Sequence, residues 1–165
     1  MRFRVMGGMI TFMNILFVCS GNTCRSPMAE GLLSAMLKEL DISNIYVSSA
    51  GLFTSDGIFP SHNAQAAAGE FGADISLQQS RQFNQNIADN ADVILCMTRT
   101  HKRHILEGFA ISSDKVFTVA EYALENDEDI PDPFGGDLET YMKCAEDLMF
   151  LLEAISERLI SGDSG

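Results

Sequence analysis

Apolar positions along this chain follow two rhythms. Short unbroken runs, at 15–18, 45–48, 93–97 and 116–119, are too short for helices and rich in branched residues, so they read as strands. They predict strands at Asn14–Val18, at Ile45–Ser48 (closed by Ala50 and Gly51), at Ala91–Met97 and at Val116–Val119. The VILCM run of the third reads as buried on both faces. Elsewhere apolar residues recur every three or four positions. Met28, Leu32, Met36 and Leu40 share one face of a helix predicted over Pro27–Leu40. Leu138, Tyr141, Met142, Ala145, Leu148, Met149, Leu152 and Ile155 form the stripe of a last helix over Leu138–Ile160. Shorter helices are expected at His62–Phe71 (ended by Gly72), Asn84–Ala88 and Thr98–Glu107. Leu52–Pro60 reads as a loop, Ile75–Phe83 as irregular, and Glu121–Asp129 as an acidic loop, whose run Glu125–Asp129 reads as solvated or as a rim of the site that attracts basic substrate sequences.

Strands alternating with helices imply an α/β fold: a four-stranded parallel sheet with helices on both faces. In such sheets ligands bind beyond the carboxyl ends of the strands, near the switch point of strand order. The segments after the first and fourth strands both reach that edge.

Composition narrows the picture. With 165 residues the chain suits one domain with a real core. A net charge of −12 argues against nucleic acid and against anionic membrane surfaces as partners. No run approaches the length of a membrane span. The four cysteines, Cys19, Cys24, Cys96 and Cys144, form no CxxC pair, which favours a reducing compartment and a cytoplasmic location. Residues 1–12 lack the apolar core and cleavage site of a signal peptide. Met13 opens a natural-looking start, so 1–12 is expected to be an extension, poorly ordered or an added strand-like tail. The domain is expected over 13–160, with 161–165 as a frayed tail.

The chemistry centres on VCSGNTCRSP, Val18–Pro27. Cys19 stands where a buried strand stops and a helix starts, with Arg25 six residues on. Backbone N–H groups of such a loop converge as an anion nest, and the helix N-terminus adds its dipole. Gly21 is expected to permit a tight turn or a positive φ, and Asn22 tolerates such angles and can bond its own backbone. Arg25 can fork two donors onto phosphate oxygens. Ser26 and Pro27 read as N-cap and first helical residue. Features that hold an anion also favour Cys19 as a thiolate, which makes it a nucleophile facing a bound phosphorus.

A phosphoryl group transferred to sulfur leaves behind a group that needs a proton. Asp132 is the best donor in the chain. Pro131 and Pro133 stiffen its loop, and Phe134-Gly135-Gly136 makes a turn that can sit close to a ligand. An arriving phosphate dianion favours the protonated carboxyl. After transfer the same carboxylate can take a proton from water and drive hydrolysis.

VCSGNTCRSPMAE, then SSAG at Ser48–Gly51, then DPFGG at Asp132–Gly136, resembles the low-molecular-weight protein tyrosine phosphatase family over nearly the whole chain from Met13. The resemblance implies a single flavodoxin-like domain, no metal and no cofactor. It implies Cys19 as nucleophile, Arg25 as phosphate clamp and Asp132 as general acid, then base. Ser20, Gly21, Asn22, Thr23, Cys24 and Ser26 would cradle the phosphate, with Asn22 holding the loop and Ser26 donating to Cys19. Free phosphate or sulfate would fit the same cradle. Many tyrosine-specific members carry an aliphatic residue in place of Thr23 and two aromatics after the Asp-Pro. Here Thr23 and a single aromatic, Phe134, together with MTRTHK (Met97–Lys102) and VFTVAEY (Val116–Tyr122), look like the bacterial protein-arginine phosphatases. A phosphoguanidinium needs room and acceptors, which Thr23 and Asp132 offer. Phe134 can stack on a guanidinium or a phenol alike. Substrates are therefore expected to be phosphorylated proteins, on arginine ahead of tyrosine.

Several members of the family carry a histidine near Gln78–Gln79 that supports the loop; this chain has glutamines, which puts that support in doubt. The resemblance also allows a reversible disulfide between Cys19 and Cys24, while a small packed residue is an equal reading of Cys24. Cys96 reads as core. Cys144 reads as packed or half exposed. His101 and His104 lack a ligand set and read as surface residues. An arsenate reductase would share the anion loop, but its chemistry uses further cysteines after the third strand, and 51–91 contains none. A non-catalytic phosphate module would not need both Cys19 and Asp132.

Overall fold

A computed structural model of the chain describes residues 11–162. The expectation of an extension at 1–12 and a tail at 161–165 thus falls mostly outside the described residues; Thr11 and Phe12, which are described, are exposed.

Four strands, β1 (Met13–Cys19), β2 (Ile45–Gly51), β3 (Val93–Cys96) and β4 (Val116–Thr118), form one parallel sheet in the order β2-β1-β3-β4. The order runs outward from β1 in both directions, which is the flavodoxin-like doubly wound arrangement. Among the described residues six α-helices pack around it: α1 (Arg25–Glu39), α2 (His62–Glu70), α3 (Gln85–Asn90), α4 (Arg99–Gly108), α5 (Val119–Leu124) and α6 (Leu138–Ser161).

The strand alternation sorts the core into two halves. Met13, Ile15, Phe17 and Cys19 of β1 face α1, α2, α5 and α6. Leu16 and Val18 face the other way, into a smaller cluster with Ala88, Ile105 and Phe83. Both faces of β1 are therefore covered, and its carboxyl end delivers Cys19 to the rim of the sheet.

Two expectations are corrected. The acidic loop at Glu121–Asp129 is in part a helix, α5, which begins directly after β4. Thr118 caps it: the Thr118 hydroxyl accepts from Glu121 N–H while the Glu121 carboxylate accepts from Thr118 N–H. That Thr-x-x-Glu spacing was present in the sequence. Helix α1 begins earlier than expected. Its N-cap is Cys24, not Ser26, and Pro27 is the third helical residue. A proline is tolerated there because the N–H groups of the first turn have no intrahelical acceptor.

Candidate active site

The turn between β1 and α1 is held in shape by Asn22. Its backbone is left-handed, at φ 55°, so the positive φ of this loop falls on Asn22 rather than on Gly21. Asn22 is buried, and its amide is fully engaged. Oδ1 accepts from Arg81 N–H at 2.9 Å, which fixes Nδ2 as the donor side. Nδ2 then donates to Ser26 Oγ at 2.8 Å and to Ser49 Oγ at 2.9 Å. Because Ser26 Oγ accepts there, its own proton points to Cys19 Sγ, 2.9 Å away. Ser49 likewise spends its proton on Glu30 Oε1. Cys19 Sγ receives a second donor, the Asn22 N–H, at 3.3 Å. Two donors thus converge on one buried sulfur.

Among the described residues none accepts a hydrogen bond from the backbone N–H of Gly21, Thr23 or Cys24. Together with the start of α1 they form a concave set of donors, which is what an oxyanion needs. Gly51 makes the tight packing under this loop possible. A Cβ there would lie 2.7 Å from the Ser20 carbonyl oxygen and 3.0 Å from Asn22 N.

Arg25 is buried. Nη1 donates to the Ile130 carbonyl at 3.0 Å, Nη2 lies 3.4 Å from Asp132 Oδ2, and Nε has no partner. A buried guanidinium with an unused donor carries a desolvation penalty that a bound oxyanion would relieve. Asp132 is half exposed, and its Oδ1 accepts from Phe134 N–H at 3.1 Å. Phe134 is 79% exposed. The structure thus brings Cys19, Arg25, Ser26, Asn22 and Asp132 to one end of the sheet, with Ser20, Gly21 and Thr23 partly exposed around them.

Cys24 is buried under the loop, with Sγ 3.2 Å from the Tyr141 hydroxyl. Cys96 is core. Cys144 is buried, and burial pushes its thiol up to about 12. It lines a cavity of about 380 Å³ between Pro131–Pro133 and the first turns of α6. That cavity is lined by Asp132 but by neither Cys19 nor Arg25.

Support for the loop comes from Arg81, two residues beyond Gln79, while Gln78 Oε1 is buried without a partner among the described residues. The Arg81 backbone fixes Asn22, and Arg81 Nε donates to the Ser49 carbonyl at 3.1 Å. Burial pushes the Glu30 carboxyl up, against the Ser49 hydroxyl and the Arg81 charge. Sequence reasoning passed over Ser49, Arg81 and Glu30. The first lies within the SSAG stretch and the last within SPMAE, so position alone marked two of them.

His101 is a correction. It is buried, not on the surface, and Nε2 lies 2.9 Å from Ser20 Oγ. Burial, aided by the Arg25 charge, pushes it down to about 4. Its spacing from Ile105, one helical turn on and equally buried, was the available signal. His104 is exposed as expected, edge-on to Phe53.

A cysteine, a buried arginine and an aspartate lie beside a concave set of N–H donors, and comparison assigns the class. Residues 14–161 match the family profile described as low molecular weight phosphotyrosine protein phosphatase. This chain belongs to that family. It is a cysteine-dependent protein phosphatase. Protein-arginine phosphatases of Geobacillus stearothermophilus and Bacillus subtilis (strain 168) are each 39% identical, over 88% and 89% of this chain and 95% and 97% of theirs. A low molecular weight protein tyrosine phosphatase of Staphylococcus haemolyticus is 36% identical over 85% of this chain and 95% of its own. Among solved structures, an arginine phosphatase whose active-site cysteine is replaced by a phosphorylated serine superposes with a TM-score of 0.85 at 36% identity, covering 90% of this chain and 96% of that one.

Proposed function

We propose that this phosphatase removes phosphoryl groups from arginine side chains of proteins, in two steps through a phosphocysteine at Cys19. The observation that carries the reading is the polarised chain ending on Cys19 Sγ, set beside a buried Arg25 with an unpartnered Nε.

In the first step the Cys19 thiolate attacks phosphorus. The S–P bond forms, the P–N bond breaks, and Asp132 gives its proton to the departing guanidine nitrogen. Arg25 and the loop N–H groups hold the equatorial oxygens throughout. In the second step water attacks phosphorus and Asp132 takes its proton. The S–P bond breaks, releasing inorganic phosphate and restoring the thiolate. The two steps as written call on no metal.

Arginine is favoured over tyrosine by Thr23, which leaves the rim polar and small where a guanidinium must enter, and by the two arginine phosphatases at 39% identity. Tyrosine phosphatase relatives at 36% keep a phosphotyrosine activity as the second reading. Four free thiols suit a cytoplasmic setting.

Matched phosphoarginine and phosphotyrosine peptides separate the two. Wild type should prefer phosphoarginine, Thr23→Ile should lose that preference, and Cys19→Ser should turn over neither. A phosphotyrosine preference indifferent to Thr23→Ile would overturn the arginine reading.

A further inference from the structure

The polar side chains of Asn22, in the Cys19–Arg25 loop, and of Ser26, just after it, are held by Arg81, Ser49 and one another. Ser20 is held from elsewhere. Its hydroxyl is met by His101 Nε2 at 2.9 Å, from α4, on the opposite side of the sheet from α1. Ser20 directly follows Cys19, and its carbonyl accepts from Phe53 N–H at 2.9 Å. Ser20 is thus fastened at both its side chain and its backbone, and it fixes the chain between the sulfur and the first loop N–H groups.

His101 itself is an expensive way to do this. It is 6% exposed, and Nδ1 is buried with no partner among the described residues. Its backbone N–H is already satisfied by the Thr98 cap, so nothing in the helix requires an imidazole here. A leucine would fill the same space without an orphaned nitrogen. Buried polar atoms without partners are rare and call for an explanation other than stability.

We infer that His101 is a positioning residue for phosphoryl transfer, acting through the Ser20 hydroxyl to hold the Cys19–Gly21 backbone in register with the bound phosphate. This rests on the phosphatase reading above. As a neutral ring it does so without adding charge next to Arg25 and Asp132, whose electrostatic balance serves the reaction. A neutral imidazole can take either hydrogen-bonding role towards a hydroxyl, so the contact survives the small movements of a turnover. Because the register concerns the transferred phosphoryl and not the group that leaves, the effect should be the same for any phosphorylated side chain.

The test compares wild type with His101→Leu, His101→Gln, Ser20→Ala and the Ser20→Ala/His101→Leu double variant, on one phosphoarginine and one phosphotyrosine peptide, alongside thermal unfolding at neutral pH. His101→Leu should lower kcat about tenfold with KM nearly unchanged, the size expected when reacting groups lose a fraction of an ångström of register. Its Tm should equal or exceed that of wild type. His101→Gln, which keeps a hydrogen-bonding nitrogen within reach, should recover most of the rate. Ser20→Ala should match His101→Leu, and the double variant should lose no more than either single one. Unchanged kcat in the His101 variants, multiplying losses in the double variant, or a His101→Leu loss that Gln does not relieve and that follows a lowered Tm would each overturn the inference. Should His101→Leu fail to fold, Ser20→Ala and His101→Gln still decide it. Absence of turnover by wild type itself would instead defeat the phosphatase reading on which the inference stands.

Discussion

Arg25 Nη2 stands 3.4 Å from Asp132 Oδ2, yet the two side chains live in different media: Arg25 is 5% exposed and Asp132 50%. The asymmetry lets one pair serve two states. A half-exposed partner contributes little, about 0–1 kcal/mol, so under the proposed mechanism an incoming phosphate takes over the guanidinium at small cost. That mechanism then releases Asp132 next to the leaving group, on the loop between Pro131 and Pro133.

If Asp132 supplies the proton to the departing nitrogen, Asp132→Asn should lower kcat by roughly 10²–10⁴-fold while leaving the fold intact. The amide keeps the contact to Phe134 N–H and cannot donate a proton. Single-turnover measurements should show slow formation of phosphocysteine and no fast release of phosphate. Wild-type kcat in this variant would remove Asp132 from the mechanism.

Gly51 is a steric requirement of the loop. A Cβ would meet backbone, the Ser20 carbonyl at 2.7 Å, and backbone cannot swing aside as a side chain can. Gly51→Ala should destabilise the protein by about 1–3 kcal/mol through overpacking, and should weaken phosphate protection against thermal unfolding more than it lowers Tm in buffer. Unaltered unfolding curves with and without phosphate would show that the loop has slack.

Much of this was legible in the chain. Apolar runs located all four strands, because a strand buried on both faces leaves an unbroken apolar signature, as in Val93–Cys96. That Cys19, Arg25 and Asp132 lie at one end of the sheet was expected from the chain, because each sits at a break in periodicity after a strand. What could not be read was how side chains pair across long separations. Asn22 meets Arg81 and Ser49, and Ser20 meets His101, at sequence distances that carry no periodic signal. His101 was misread because a polar residue on a strongly polar helix looks solvated until the sheet is placed against it. Ser26 was misread as a cap because its hydroxyl had two possible customers, a helix N–H and the Cys19 sulfur, and the second won.

The burial of His101 predicts an acid limit to stability. Its pKa is about 4 in the folded chain against an ordinary 6.5, lowered by burial, Arg25 and His104 and opposed by Asp132 and Asp129. Below 6.5 the unfolded chain binds a proton that the folded chain refuses, so this contribution is complete above pH 6.5 and declines as pH falls towards 4. The loss should be on the order of 2–3 kcal/mol across that window. Urea titrations at pH 7, 6, 5 and 4.5 should show it in wild type and a shallower decline in His101→Leu. Equal slopes in the two proteins would place the acid sensitivity elsewhere.

Asn22 is the residue on which the Cys19–Arg25 loop turns, and its replacement separates shape from charge. Asn22→Ala leaves Ser26 and Ser49 each short of a donor and the Arg81 N–H without an acceptor, all in buried or half-buried surroundings. Each stranded group costs about 1–3 kcal/mol where water cannot reach it, so the variant should be clearly destabilised. Ser26 would then be free to turn its proton away from Cys19. Asn22→Asp keeps the shape and the left-handed φ, and its carboxylate can still accept from Arg81 N–H. It cannot donate to either serine, and it brings a negative charge within reach of the sulfur and the phosphate. Asn22→Asp should therefore unfold closer to wild type than Asn22→Ala, yet bind inorganic phosphate more weakly and turn over peptide more slowly. Phosphate-dependent Tm shifts for the two variants check the ordering. An Asn22→Asp protein that binds phosphate as wild type does would mean that the loop depends on shape alone, and that the donors converging on Cys19 are incidental.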